Sequence, residues 1–288
     1  MFLCGDVIST HGHEQCNSKA HCQVEDKNNG DAGHGASVSS AVAHTVNANS
    51  STTTVASNLP TSAWGQAVRF RVTVSSSTTV PTGSAIVFVD GNSLGTCTLA
   101  AGICDVTTGS LSVGPHTVSA TYTGNGNHLA SDSATITQTV LQATTTTTIT
   151  GSAADATQGS TVVYTVTVDS TTGTPTGTAQ VYEGDLLKGS CTLAPVSATR
   201  ASCGVPYADF GPGLYYLTGV FAGSTNFAPS MSTVDFAQNI WAPTTTEVTA
   251  TTNPSAYFQN ASFIVTVTSP LGFAAVFPCQ MRLISVPV

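Results

Sequence analysis

Residues 81–99 read PTGSAIVFVDGNSLGTCTL, and the same order returns downstream. Pro81-Thr82-Gly83 followed by Gly95-Thr96-Cys97-Thr98-Leu99 reappears as Pro175-Thr176-Gly177 followed by Gly189-Ser190-Cys191-Thr192-Leu193, with an offset of 94 residues at both ends. A period of that size is too long for a solenoid unit and fits a small all-β domain, so the chain reads as tandem domains of one type.

Working outward, each copy opens on threonines and continues into a strand. Thr52-Thr53-Thr54-Val55 opens the first, Thr144 to Thr148 with Ile149 the second, and Thr244-Thr245-Thr246-Glu247-Val248 a third. In the first copy Val68, Phe70, Val72 and Val74 share one face; Val162, Tyr164, Val166 and Val168 repeat the pattern, and Ala261, Phe263, Val265 and Val267 repeat it again. Alternation with period two and one aromatic near the middle predicts strands packed on one face of a sandwich. Ala85 to Val89 and Ala179 to Tyr182 predict the next strands. Asp90-Gly91 and Glu183-Gly184-Asp185 supply turns that accept left-handed backbone. Val118, Ala120 and Tyr122 match Leu217, Gly219 and Phe221 at an offset of 99, which places a five-residue insertion around Pro195 to Thr199, at a hairpin tip. Final strands are predicted at Ala134 to Val140 and Val234 to Ile240.

These periodicities divide the chain into an N-terminal arm (1–48), two complete domains (49–142 and 143–241) and an incomplete third (242–288). The arm is expected to be disordered or irregular, since it is rich in Gly, Asn and Ser and lacks periodicity. The third copy loses the pattern at Pro270-Leu271-Gly272, before its own Pro-Thr-Gly, and its roughly 45 residues are too few for a closed sandwich.

Composition excludes several functions. Charged residues make up 8% of the 288, and the formal net charge is −8 with seven Lys plus Arg, of which Arg69 and Arg71 are the one pair close in sequence. With so little positive charge there is no basic patch to release counterions, so nucleic acid is not an expected partner. Apolar runs fall well short of the roughly 18 residues of a membrane helix, and membrane insertion within this chain is not expected. The first residues, Met1-Phe2-Leu3-Cys4-Gly5-Asp6, have no basic n-region and do not read as a signal peptide.

The order Trp64-Gly65-Gln66, alternating strand, Pro81-Thr82-Gly83, Asp90-Gly91, Gly114-Pro115-His116-Thr117 and Tyr122-Thr123-Gly124-Asn125-Gly126-Asn127 resembles the bacterial Ig-like repeat family. Phe221-Ala222-Gly223-Ser224-Thr225-Asn226-Phe227-Ala228-Pro229-Ser230 carries the resemblance into the second copy. It covers about residues 50 to 270. It implies all-β tandem immunoglobulin-like antiparallel sandwiches of about seven strands each, acting as spacer or adhesive stalk on an extracellular or cell-surface bacterial protein. It supplies no catalytic residues. The implied partners are neighbouring repeats of the same polypeptide and an unspecified surface protein or glycan; no cofactor is expected.

Among chemistry-bearing residues, Cys97 with Cys104 and Cys191 with Cys203 bracket equivalent hairpins, and a disulfide across each is favoured over free thiols because facing antiparallel residues have the required separation. No Cys-x-x-Cys is present to suggest redox or metal chemistry, and such bridges favour an oxidising compartment. Cys4, His11, His13, Cys16, His21 and Cys22 are zinc-type ligands in a spacing that matches no paired-ligand pattern, so no metal site is assigned. His116 and His128 are expected at the surface. Asp90, Asp105 and Asp132 are isolated acids, too dispersed for calcium. Trp64 and Trp241 lie near domain openings and are expected to pack at a junction rather than to stack on sugars. An accessory carbohydrate-binding module is the alternative function, which an exposed aromatic strip on one sheet would favour. Phe210, Tyr215 and Tyr216 are the local concentration, and alternation sends Tyr215 and Tyr216 to opposite faces. No motif points to an enzyme.

Overall fold

The computed structural model describes residues 12–18, 21–28, 35, 37–38, 40, 42–250, 261–269 and 274–281. Two compact units organise the chain: Met1–Ser62 with Gln66–Leu141, and Ala63–Gly65 with Gln142–Val288.

In the first unit, β1 (Gly12–Ser18), β2 (His21–Asn28), β3 (Ser37–Val38) and β4 (Val42–Thr45) form an antiparallel sheet in which Cys16 stands opposite Cys22. The arm expected to be irregular therefore carries paired backbone. Ladder hydrogen bonds use the main chain and need no hydrophobic alternation, which is why composition gave no sign of it.

The sandwich of this unit follows as β5 (Thr52–Ser57), β6 (Thr61–Ala63), β7 (Val68–Ser75), β8 (Ser84–Val89), β9 (Asn92–Thr98), β10 (Ile103–Thr108), β11 (Gly114–Tyr122), β12 (Ser131–Asp132) and β13 (Ile136–Leu141). One sheet has the order β10-β7-β5 and the other β6-β13-β11-β8-β9, with β12 on β11. Seven of these strands are long and two are short. Val68, Phe70, Val72 and Val74 of β7 meet Ala85 and Val87 of β8 and Val118, Ala120 and Tyr122 of β11 in one core, all nearly or fully inaccessible. Burying a Val or Phe of this kind contributes roughly 1.5–3 kcal/mol.

The second unit repeats the plan with β14 (Thr145–Gly151), β15 (Asp155–Thr157), β16 (Val162–Ser170), β17 (Thr178–Glu183), β18 (Leu186–Thr192), β19 (Ala194–Ser197), β20 (Arg200–Tyr207), β21 (Gly213–Phe221), β22 (Ser230–Met231) and β23 (Phe236–Trp241). Its sheets run β14-β16-β20-β19 and β15-β23-β21-β17-β18, with β22 on β21. The insertion becomes β19, an added strand folded back on β20 with Ser197 opposite Arg200. Tyr164, Val166 and Val168 pack against Val181, Leu217 and Phe221. Further on, β24 (Thr245–Ala250), β25 (Ala261–Thr268) and β26 (Ala274–Met281) form a single three-stranded sheet.

The recurring Pro-Thr-Gly is a strand-entry turn. The carbonyl of Gly83 accepts from the amide of Leu99 at 2.8 Å, and that of Gly177 accepts from Leu193 at 2.9 Å, so the turn ties β8 to the end of β9 and β17 to the end of β18. In the first unit the buried Tyr122 hydroxyl also donates to the Thr82 carbonyl at 2.7 Å.

Candidate functional site

The cysteines sit where the two sheets of each sandwich come together: on the edge strands β9 and β10 in the first unit, and on β18 and β20 in the second, where β19 flanks β20. Cys97 on β9 stands opposite Ala85, whereas Cys104 on β10 stands opposite Val72, and β9 and β10 belong to different sheets. The disulfide spans a Cα separation of 5.7 Å. Cys191 on β18, opposite Ala179, and Cys203 on β20, opposite Val166, repeat the arrangement at 5.8 Å. The bridges thus do not join facing residues of one hairpin ladder, as the sequence suggested; each joins the two sheets. The cause is the connection between the strands. In the first unit it turns through Ala101 and Gly102 with φ of 51° and 79°, and the Gly102 carbonyl accepts from the Val74 amide at 2.8 Å, which hands the chain to the opposite sheet.

His116 and His128 are buried, at 8% and 3% exposure, rather than at the surface. His116 lies on β11 opposite Gln138, on the inward side of the strand. Its Nδ1 lies 2.7 Å from Asp90 Oδ2, its Nε2 2.8 Å from the Ser112 carbonyl and 3.4 Å from Ser112 Oγ. A serine, a histidine and an aspartate thus stand in sequence around one imidazole. The chemistry is nevertheless not that of a nucleophile and base. Asp90 also accepts from the Thr117 amide at 2.8 Å, and the His116 and Thr117 hydrogen bonds hold its carboxyl below the usual range. Both ring nitrogens of His116 therefore face acceptors, an arrangement that favours the doubly protonated ring. The Ser112 carbonyl, followed by Asp90, raises the imidazole's pKa. An imidazolium donating at Nε2 has no lone pair with which to take a proton from Ser112.

The second unit shows what this position does structurally. Tyr215 occupies the matching place on β21, opposite Gln238, and its hydroxyl donates to the Gly211 carbonyl at 3.0 Å. Both side chains reach back four residues to a loop carbonyl. His128 uses Nε2 to donate to the Thr79 carbonyl at 3.1 Å, fixing a loop in the same manner.

The acids are engaged separately. Asp105 receives Arg71 at 3.0 and 3.2 Å with Arg69 at 3.7 Å, and the Arg71 hydrogen bond lowers its pKa. Asp132 accepts from Thr121 Oγ1 at 2.6 Å. The one close basic pair of the sequence thus spends its charge on Asp105. His13, Cys16, His21 and Cys22 fall on β1 and β2, while Cys4 and His11 lie outside the described residues.

Sequence reasoning missed two buried polar networks. Gln138 and Gln238 are fully buried at matching positions. Gln138 accepts from Ser57 Oγ at 2.7 Å and donates to Ser62 Oγ at 3.2 Å. Gln238 accepts from Tyr164 at 3.0 Å and donates to the Ala154 carbonyl at 3.1 Å. The signal was a glutamine recurring among inward apolar residues of the last strand. In the second unit, Lys188 lies over the rings of Tyr207 and Phe210 at 5.3 and 5.0 Å and pairs with Glu183. Burial opposes its charge, and Glu183 with Tyr207 outweighs that cost, so its pKa is raised.

The aromatics divide as alternation requires: Tyr215 packs on Phe210 with centroids 4.4 Å apart, while Tyr216 faces solvent. Trp64 packs edge-on against Phe227 at 5.2 Å. Trp241, expected to pack, is 59% exposed on the outer face of its sheet, where its Nε1 donates to Asp155 Oδ1 at 3.2 Å.

Residues 52–141 match the model of the bacterial Ig-like domain (group 3). No curated protein matches the chain significantly. Among solved structures, the fibronectin(III)-like modules of Clostridium thermocellum CbhA align at 16% identity over 65% of this chain and 93% of theirs, with a TM-score of 0.27. The native conformation of E. coli alpha-2-macroglobulin aligns at 13% identity over 80% of this chain, with a TM-score of 0.25; the chain spans about a fifth of that protein's length, 20%.

Proposed function

We propose that the chain is a non-catalytic stalk or spacer segment of an exported bacterial surface protein, built from Ig-like modules that hold and present other parts of the polypeptide. The observation that carries this reading is the pair of equivalent disulfides, one between the two sheets of each sandwich. A bond between the sheets resists their separation, and its presence in both repeats suits an oxidising, extracellular setting. The His116 arrangement supports a structural role as well, because its imidazole serves a loop carbonyl and a carboxylate rather than a nucleophile. Residues 49–142 and 143–241 act as the repeating units in this reading, and 242–288 as part of a third.

The reading is tested on the full chain isolated without reductant. Differential alkylation should leave Cys97, Cys104, Cys191 and Cys203 unlabelled until a reductant is added. Antibodies to the chain should stain intact cells of the source bacterium. Four freely alkylated cysteines, or staining only after permeabilisation, would overturn it.

A further inference from the structure

In each sandwich the segment by which the chain enters runs parallel to the segments by which it leaves. In the second unit Ala143 pairs in parallel with Phe227, Thr147 of β14 with Ser232, and Asp155, Ala156 and Thr157 of β15 with Asn239, Ile240 and Trp241 of β23. Backbone hydrogen bonds hold both ends of this seam. The Ala143 amide donates to the Asn226 carbonyl and the Ala228 amide to the Ala143 carbonyl, each at 2.9 Å; the Asn239 amide donates to the Ala154 carbonyl at 2.8 Å and the Gln158 amide to the Trp241 carbonyl at 2.9 Å. Hydroxyls hold the middle, where Ser230 Oγ lies 2.7 Å from both Thr145 Oγ1 and Thr147 Oγ1. The first unit repeats the plan: Asn49 pairs in parallel with His128, Ser131 Oγ lies 2.7 Å from Ser51 Oγ and 2.8 Å from Thr53 Oγ1, and the Thr139 amide donates to the Pro60 carbonyl at 2.9 Å.

Parallel pairing decides how such a seam takes a load. Tension along the polypeptide draws on the start of the entering segment and on the end of the leaving one. In a parallel pair those two points lie at opposite ends, so the strands must slide lengthwise and every bond between them is strained at once. In an antiparallel hairpin they lie at the same end, and the bonds open one after another.

The two units differ at one place on the seam. Asp155 Oδ1 of β15 accepts from Asn239 Nδ2 at 3.0 Å and from Trp241 Nε1 at 3.2 Å, both on β23. The carboxylate therefore adds two charge-assisted bonds across the parallel pair itself. The bond from Thr139 to Pro60 matches the bond from Asn239 to Ala154, which sets Thr61 in the place of Asp155 and Leu141 in the place of Trp241. A threonine and a leucine supply neither the carboxylate nor the indole donor. The clasp also accounts for a tryptophan that is 59% exposed, since Trp241 is held by a carboxylate on the neighbouring strand.

We propose that both units bear tension along the chain through these parallel seams, and that Asp155, by clasping Asn239 and Trp241, makes the second unit the more durable, so that the first yields first under load. The source of the load rests on the stalk reading. Failure of the cysteine and surface-labelling tests above would remove the stalk itself, whereas failure of the test below would leave the stalk and remove the clasp.

The test is force-clamp spectroscopy of the full chain held by its two ends without reductant. Two resisting steps should appear, one for each sandwich. Cys191→Ser with Cys203→Ser assigns them, because freeing the twelve residues spanned by that bridge lengthens the second unit's step alone by roughly 40 Å, at about 3.6 Å per extended residue. In the parent chain the second unit's step should come after the first unit's. Asp155→Ala should shorten its lifetime about tenfold, the scale of one or two lost hydrogen bonds, and Trp241→Leu, which installs the first unit's residue and removes one of the two bonds, about threefold. Neither should move the first unit's step. Unfolding rates of the same variants in denaturant, where no strand is pulled, should change less than the lifetimes under load. A retained cooperative thermal transition shows that a variant folds, and the two substitutions lie on opposite strands of the seam, so either alone suffices. A chain that extends without two resisting steps, a first unit that outlasts the second, variants that last as long as the parent, or equal changes with and without load would overturn the proposal.

Discussion

Cys97 and Cys104 lie seven residues apart yet stand in opposite sheets, 5.7 Å apart at Cα. Closing so short a loop restricts the unfolded chain by about 2.5 kcal/mol, and the twelve-residue separation of Cys191 and Cys203 gives about 3 kcal/mol. Cys97→Ser with Cys104→Ser should lower stability by about 2.5 kcal/mol in denaturant titration. The same loss should follow reductant treatment of a Cys191→Ser, Cys203→Ser protein, in which the first bridge remains. No change in midpoint on breaking either bridge would contradict the sheet-joining role.

The Asp90–His116 pair makes stability depend on pH from both sides. His116 has a raised pKa, so its contribution is fully present below the ordinary histidine value of 6.5 and is lost as pH rises through its folded value. Asp90 has a lowered pKa, so its contribution is present above 3.8 and is lost as pH falls through its folded value. Stability from this pair is greatest between about pH 4 and 6.5. His116→Tyr, the residue type of the second unit, should keep the reach to the Ser112 carbonyl and abolish the alkaline loss. A parallel pH profile in the variant would show that His116 does not cause it.

Gln138 is a buried amide whose two ends are occupied by Ser57 and Ser62. Gln138→Ala leaves those hydroxyls without their buried partner and should cost about 1–3 kcal/mol. Gln138→Glu should cost more at neutral pH than at pH 3, because a buried carboxylate is worse than a buried acid. Thermal unfolding at both values measures the difference.

Gly124 has φ of +76°, and a Cβ there would stand 2.9 Å from the Ala130 amide nitrogen; Gly223 in the second unit repeats this at 2.9 Å from Pro229 N. Gly124→Ala and Gly223→Ala should each destabilise by about 1–3 kcal/mol through backbone that must shift. Melting temperatures of the two variants, compared with Gly91→Ala, where no atom lies near, separate the clash from the conformational cost.

Tyr164 is fully buried with its hydroxyl on Gln238, and burial, assisted by Tyr207, pushes its pKa up to about 12. In spectrophotometric titration of the seven tyrosines, one absorbance step should come near pH 12. Its contribution is full below pH 10 and is lost above it, and Tyr164→Phe should remove the late step.

The strand pattern was legible because alternation is a local property. Val68, Phe70, Val72 and Val74 declare a buried face whatever they meet, and the 94-residue offset between Pro-Thr-Gly turns declares a second copy. The sequence also determined the bracketing cysteines and the opposite faces of Tyr215 and Tyr216, since these follow from spacing along one strand. Which sheet each strand joins is not written in its own residues. It is fixed by long-range pairing, and so only the tertiary structure made the Cys97–Cys104 bridge a bond between sheets. The same holds for His116, where a hydrophilic residue before a strand looked exposed until Asp90 and Ser112 closed around it, because burial of a polar group depends on partners distant in sequence. Trp241 is the reverse case: expected to pack, it lies on the sheet beside β21 at a place set by the register of β21 and β23.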